Sequence, residues 1–319
     1  MQDAKSDTRT IWSISTFYFF TPLENLPDWE ARLEAEAERL GVKGLFILGA
    51  EGLNSTFGAP SAEACAAFKN WVRESFNQPN LFFKDSESPV QPFPQIKIKV
   101  RPEIVTAGLP GVLPPTGKNR HLTPAEWDQV LENEDVAVID TRNDYEYRIG
   151  TFKGAIDPQI PQFTDFPKFF EAQNYAPDKK ILIFCTGGIR CEKGILELER
   201  QGYANVYQLE GGILNYLKER PHRNFKGECF VFDNRVALTQ DLKESSVYQL
   251  CPHCGEPGEL KIHCVRCDTE AQLCPKCLEK QTPAHATCSK NCAHHHRLSP
   301  LKKGRRQVRD WATFKTVKT

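Results

Sequence analysis

The run Ile181-Leu-Ile-Phe-Cys185-Thr-Gly-Gly-Ile-Arg190-Cys191-Glu-Lys193 places a thiol where an apolar stretch gives way to a helix-forming one. Four apolar residues predict a buried strand, and the residues after the glycines predict a helix. A sulfur at that junction meets backbone N–H groups at a helix N-terminus and, in Arg190, a cation; each of these favours the thiolate over the thiol. Cys185 is therefore the candidate nucleophile. Thr186, Gly187, Gly188, Ile189 and Arg190 are the candidate anion cradle, with the two glycines expected to allow a tight curl because they lack Cβ atoms. Cys191 lies one residue beyond Arg190. It either begins the helix or serves as a second thiol, able to form a transient disulfide or polysulfide with Cys185.

A second set of thiols follows. Cys251-Pro-His-Cys254, Cys264-Val-Arg-Cys267 and Cys274-Pro-Lys-Cys277 are C-x-x-C pairs, and Cys288 and Cys292 form a fourth pair at wider spacing. Such a pair puts two sulfurs on one turn within reach of one tetrahedral ion, so eight thiols predict two closed structural zinc sites. The spacing leaves two pairings open: sequential (251/254/264/267 with 274/277/288/292) or interleaved (251/254/274/277 with 264/267/288/292). His253, His263, His285 and His294 to His296 are further donors that two complete thiolate sets do not need. Disulfides are the competing use. The polar start of the chain has no signal-peptide pattern and no apolar run reaches membrane-spanning length, so a cytoplasmic location with reduced thiols and no membrane partner is expected.

The elements that must position these groups change character along the 319 residues, too many for one typical domain. Ile11 to Phe20 reads as a strand, Trp29 to Leu40 as a helix, Gly44 to Ala50 and Gly52 to Phe57 as two strands, Ser61 to about Glu74 as a helix, and Ile96 to Val105 as a closing strand. This β-α-β-β-α-β order predicts a ferredoxin-like (acylphosphatase-like) domain over residues 1–108, in which Cys65 is a small core residue. Turn formers mark a linker at 109–120. His121-Leu-Thr-Pro-Ala-Glu opens a helix whose cap is Thr123 and whose capping box is completed by Glu126. Short apolar strands at Val136 to Asp140, Ile181 to Phe184 and Asn205 to Leu209 alternate with helices, which predicts a parallel α/β domain over 121–220. A connecting extension (221–250), a Cys-rich zinc module (251–296) and a basic tail (297–319) complete the reading: a multidomain chain of α/β and α+β parts.

The formal charge is zero, with 41 basic and 41 acidic residues, so overall charge does not mark the molecule as an obvious polyanion binder. Local charge is uneven. Lys97, Lys99 and Arg101 alternate and give one strand a basic face, and the tail carries Arg305 and Arg306 among other cations. Both are candidate contacts for RNA phosphate, set against the simpler reading of solvated surface.

Five separated blocks of the middle domain occur in a familiar order: Val138-Ile-Asp140-Thr-Arg142, Glu146-Tyr147 with Gly150, Gly154-Ala155-Ile156, the Cys185 loop, and Gly202-Tyr-Ala-Asn-Val206 leading to Gly211-Gly212. This resembles a rhodanese domain from about His121 to Arg220. The resemblance implies that Cys185 is the sulfur-carrying nucleophile, able to become a persulfide, and that Asp140 and Arg142 support the fold. Phosphatases of related fold have five residues between Cys and Arg, whereas Cys185 and Arg190 enclose four, a ring suited to a single sulfur.

Further blocks extend the likeness over about residues 10–295: Gly49-Ala-Glu-Gly52-Leu-Asn54, Pro92 to Val105, and Gly227-Glu-Cys-Phe-Val-Phe-Asp-Asn-Arg-Val236. Together with the Cys185 loop they resemble the tRNA uridine hydroxylase family. That resemblance implies hydroxylation of C5 of the wobble uridine to 5-hydroxyuridine, with tRNA as partner and molecular oxygen as co-substrate. The sequence names no electron donor: no dinucleotide fingerprint and no His/carboxylate triad is evident. The competing expectations are a rhodanese-type sulfurtransferase, which needs only the Cys185 loop, and a zinc-bearing binding protein.

Overall fold

The computed structural model describes residues 10–114, 120–280 and 286–298. The chain divides after Glu244 into two compact units.

The first unit begins with β1 (Trp12–Phe20), α1 (Leu26–Arg39), β2 (Lys43–Gly49), β3 (Gly52–Ala59), α2 (Ala62–Ser75), β4 (Lys84–Ser88) and β5 (Ile96–Val100), whose strands lie in the order β4-β1-β3-β2-β5. The expected ferredoxin-like sandwich is present, but its closing strand is not the expected one. Lys84-Asp-Ser-Glu-Ser88 pairs antiparallel with β1 and completes the motif, while β5 joins the opposite edge, parallel to β2. The polar β4 carries no apolar alternation, so its strand state follows from pairing with β1 and is silent in the sequence. The extended Ile96 strand ends at Val100, short of the expected Val105.

One face of this sheet packs on α1 and α2 through Phe17, Phe46, Phe57 and Phe68, all fully buried. Ser61 caps α2 by accepting the Ala64 N–H at 3.2 Å. Cys65 lies in this core, where burial pushes its thiol pKa up, as befits an inert residue. The other face bears Thr16, Tyr18, Leu45, Ile47, Asn54 and Thr56 and carries no helix of its own domain.

The α/β part follows: β6 (His121–Leu122), α3 (Pro124–Asn133), β7 (Ala137–Asp140), α4 (Asp144–Ile149), β8 (Gly150–Phe152), α5 (Phe166–Glu171), β9 (Ile181–Phe184), α6 (Ile189–Arg200), β10 (Val206–Leu209) and α7 (Gly212–Glu219). Its parallel sheet has the order β6-β10-β9-β7. Every residue of β7 and β9 is buried, since helices cover both faces, which is why these strands read as unbroken apolar runs. The Thr123/Glu126 capping box of α3 forms as expected. Residues beyond α7 remain part of this unit: β11 (Phe225–Gly227) pairs with β8, and β12 (Cys229–Phe230) with β13 (Ala237–Leu238).

The second unit holds β14 (Gln249–Leu250), β15 (Pro257–Gly258), β16 (Leu260–His263), β17 (Glu270–Leu273), α8 (Pro275–Glu279) and α9 (Lys290–Leu298). Its apolar core is little more than Ile262 and Leu273 beside three cysteines. A core that small does not hold a domain by burial alone. Arg305, Arg306, the rest of the tail after residue 298 and His285 lie outside the described residues.

Candidate active site

β9 delivers Cys185 to the C-terminal edge of the parallel sheet, and α6 begins four residues later. The loop between them turns the backbone inward. Gly188 donates its N–H to the Cys185 sulfur at 3.1 Å, and the Arg190 N–H reaches the same sulfur. Gly188 has φ +99°, and a Cβ there would lie 2.9 Å from the Tyr18 hydroxyl. Gly212, at φ +67°, lets α7 press against the loop, because its Cβ would fall 2.5 Å from the Cys185 carbonyl oxygen. Gly187 departs from expectation: its φ is not in the left-handed region, and the closest contact of a Cβ there would be an ordinary 3.7 Å to Thr16. The curl depends on Gly188 rather than on both glycines.

Cys185 is 1% exposed, and burial opposes its ionisation. That penalty is outweighed by the Cys191 thiol donating to it, by the Arg190 charge and by the two amides, so its pKa falls well below that of an ordinary thiol. The N-terminus of α6 adds its partial positive charge. Burial and the neighbouring Cys185 sulfur push Cys191 the other way, keeping it a neutral donor within van der Waals reach of Thr141 Oγ1 at 3.7 Å. Cys191 lies inside the first turn of α6. Cys229, which sequence reasoning passed over, is also buried, with its pKa pushed up to about 12 by desolvation, and is inert.

Arg190 does not hydrogen-bond the sulfur with its guanidinium. It forks onto Glu146 at 2.7 and 2.9 Å, and Thr186 Oγ1 joins the same carboxylate at 3.3 Å. Burial opposes the Glu146 charge, but Arg190 and Arg142 hold its carboxyl below the usual range. Glu146 thus fixes the guanidinium and shares its charge. The sequence signal was the Glu146-Tyr147 block, but the partner is 44 residues away. Asp140 and Arg142 form a wholly buried forked pair at 2.8 and 2.6 Å, with Arg142 also bound to the Gly150 carbonyl. They brace β7 against β8, the supporting role expected of them.

The helix-free face of the N-terminal sheet roofs this loop. Tyr18 donates to Glu192 at 2.7 Å, and the buried Lys84 ammonium donates to the Gly187 carbonyl at 3.1 Å. His121 and Gln208 also contact the Glu192 carboxylate, at 3.1 and 2.8 Å. Behind them, Lys193 is fully buried between Glu51 at 2.9 Å and Glu103 at 2.8 Å, both from the first domain. Glu51 further accepts the Ile104 N–H, and Glu103 accepts those of Gly108 and Leu109. The start of the expected linker is therefore clamped to α6.

Roof and loop enclose a cleft of about 540 Å³. Cys185, Thr186 and Arg190 line one wall; Tyr18, Asn54, Lys99 and Arg101 line the other. Of the alternating basic residues, Lys99 and Arg101 reach the cleft, whereas Lys97 is exposed and not part of its lining. The volume is that of a small-molecule site, and the arrangement presents a thiolate and two cations to whatever enters.

In the second unit the sulfurs of Cys251, Cys254, Cys274 and Cys277 gather in one cluster and those of Cys264, Cys267, Cys288 and Cys292 in another, each within 4.8 Å. The pairing is interleaved, which excludes the sequential alternative. Separations of 3.4 Å (Cys254 to Cys274), 3.5 Å (Cys267 to Cys288) and 3.6 Å (Cys288 to Cys292) are far from a disulfide. They approach the edge of about 3.8 Å expected of a tetrahedron with arms of about 2.3 Å. Each cluster can hold a metal ion. No described histidine joins either cluster, and His253 instead contacts the Thr287 carbonyl at 3.1 Å.

A cysteine in an amide loop at the end of a parallel strand, roofed by an acylphosphatase-like sheet, defines a rhodanese-fold protein with an added N-terminal domain. Family models agree: a UPF0176 acylphosphatase like domain matches residues 12–104, a rhodanese-like domain 123–219 and a rhodanase C-terminal region 226–293. The chain is 56% identical over 296 residues to the tRNA uridine(34) hydroxylase of Bdellovibrio bacteriovorus, covering 92% of this chain and 84% of that one. It is 40% identical over 274 residues to the protein of that name from Teredinibacter turnerae (85% and 84% covered), and 40% over 268 residues to that of Synechocystis sp. (80% and 96%). The chain belongs to the tRNA uridine(34) hydroxylase family.

Proposed function

We propose that this protein hydroxylates C5 of the wobble uridine of tRNA, giving 5-hydroxyuridine, with Cys185 as its reactive group. Family membership supports the substrate and the reaction. The observation that carries the site assignment is the stabilised Cys185 sulfur opening onto a cleft walled by two domains. Replacing C5–H by C5–OH with molecular oxygen takes one oxygen atom into the base and sends the other to water, with two electrons and two protons from a donor. The cleft is of small-molecule size, so the target nucleotide turns out of the anticodon loop to reach Cys185. Lys99 and Arg101 meet the accompanying phosphates; Lys97 and the tail residues Arg305 and Arg306 are outer contacts of the same kind.

Arg190 and the loop from Thr186 to Ile189 hold the thiolate, and a persulfide on Cys185 would sit in the same cradle. Cys191 serves as hydrogen-bond donor to Cys185. The eight clustered cysteines bind two structural zinc ions, which replace the missing apolar core of the second unit. The setting is the cytoplasm, where tRNA and reduced thiols coexist. A free-standing sulfurtransferase fits less well, because it needs only the Cys185 loop and gives no role to the first-domain residues Tyr18, Asn54, Lys99 and Arg101 that line the cleft. Mass spectrometry of tRNA nucleosides from cells with and without the gene tests the reading: 5-hydroxyuridine derivatives disappear on deletion. Unchanged derivatives with loss of thiolated nucleosides would replace it by the sulfurtransferase.

A further inference from the structure

The block Phe230-Val-Phe-Asp-Asn-Arg-Val236 stands out in the sequence, yet neither the thiolate nor the interdomain clamp uses it. Phe230 and Val231 are buried, whereas Phe232, on the rim of the Cys185 cleft, is 54% exposed. Among the described residues only Phe82, at 41%, joins it as an exposed phenylalanine. The segment that displays it is rigidly held. Arg235 forks onto Asp233 at 2.8 and 2.6 Å, both side chains being buried, and reaches Ser86 on β4 at 2.8 Å. Asn234 is tied to the segment between β4 and β5 by its N–H to the Pro92 carbonyl at 2.9 Å and by its side chain to the Gln91 carbonyl at 3.1 Å. The Phe230 ring meets Phe232 edge-on at 4.9 Å. These contacts anchor the block to the core and to the first domain, and they leave the Phe232 ring as a fixed aromatic face toward water.

We propose that Phe232 is a stacking platform for a base next to the target uridine, an inference that rests on the tRNA reading above. With the target nucleoside turned into the cleft toward Cys185, the flanking nucleotides of the loop lie at its rim. There an unstacked base regains on a fixed phenyl face the stacking it lost in the anticodon loop, while Lys99 and Arg101 on the cleft wall meet the backbone. Stacking is indifferent to base identity, so Phe232 adds affinity and register without adding sequence preference.

The test is fluorescence anisotropy of the full-length protein with a labelled anticodon stem–loop, intact or abasic on either side of the target uridine. Phe232→Ala weakens binding of the intact loop by about 10- to 100-fold and Phe232→Trp retains it. An abasic site at the stacked position weakens wild-type binding similarly, and Phe232→Ala adds no further loss on that loop, a coupling that a merely structural role would not produce. The thermal midpoint read by circular dichroism stays within about 2 °C of the wild type in both variants, showing an intact fold. Wild-type binding combined with Phe232→Ala within about twofold of it, or losses that multiply at both abasic positions, overturns this inference alone. Failure of the wild type to bind any stem–loop overturns the tRNA reading with it.

Discussion

Lys193→Met should destabilise the first unit by about 3 to 5 kcal/mol, the range for breaking a buried ion pair from one side. The ammonium is fully buried, with Glu51 at 2.9 Å and Glu103 at 2.8 Å, and the two carboxylates are themselves almost inaccessible. Methionine fills the same volume but leaves two buried anions facing each other across the gap. Spread over a unit of this size, the loss lowers its thermal midpoint by about 6 to 20 °C. The midpoint is read by circular dichroism, and limited proteolysis of the 105–114 segment reports on the clamp. A triple variant with Glu51→Gln and Glu103→Gln removes the stranded charges and recovers much of the loss, since a neutral replacement of a buried network is often harmless.

The pH dependence has a defined sign. Burial opposes the Glu103 charge, but the hydrogen bond from Lys193 and the amides of Leu109 and Gly108 prevail and depress its pKa. Its stabilisation is present above the ordinary carboxylate value and is lost as pH falls through the depressed one, so the clamp weakens below about pH 4. A Lys193→Met midpoint within about 1 °C of wild type would refute the reasoning, as would a triple variant no better than the single one.

Other outcomes follow from the same geometry. Iodoacetamide modification of Cys185, mapped by mass spectrometry, stays near its plateau from pH 8 to pH 6, whereas an ordinary thiol with a pKa of about 8.5 slows roughly tenfold per pH unit. Arg190→Met narrows that advantage, moving the profile part of the way toward ordinary thiol behaviour because the Cys191 donor and the two amides remain, and leaves Glu146 buried without its forked partner. Metal analysis of reduced protein finds two zinc ions per chain, and a strong chelator unfolds the 251–296 segment while the first unit keeps its midpoint. Raising salt weakens tRNA binding steeply, and Lys99→Ala combined with Arg101→Ala flattens the slope by about two.

The parallel sheet and the Cys185 loop were legible because both are written locally. Buried strands read as apolar runs, and the thiol, glycines and arginine sit within six consecutive positions. The metal clusters were legible as to residues but not pairing, since C-x-x-C fixes each turn and only the path of β16, β17 and α9 decides which turns meet. What stayed hidden depends on long-range partners. Lys84-Asp-Ser-Glu-Ser88 is a strand because β1 offers it an edge. Glu146 is a site residue because the fold carries Arg190 to it. Tyr18 and the Glu51/Glu103/Lys193 clamp join residues 174, 142 and 90 positions apart. Gly187 was overread: adjacency to Gly188 suggested a shared steric need that only Gly188 has.

The central claim, that the Cys185 thiolate carries the tRNA chemistry, is tested most directly by complementation. Nucleosides of total tRNA are measured by mass spectrometry in a strain lacking the gene and supplied with either the wild type or the Cys185→Ser variant at equal abundance. The account predicts 5-hydroxyuridine derivatives with the wild type and none with Cys185→Ser; full restoration by the serine variant would contradict it.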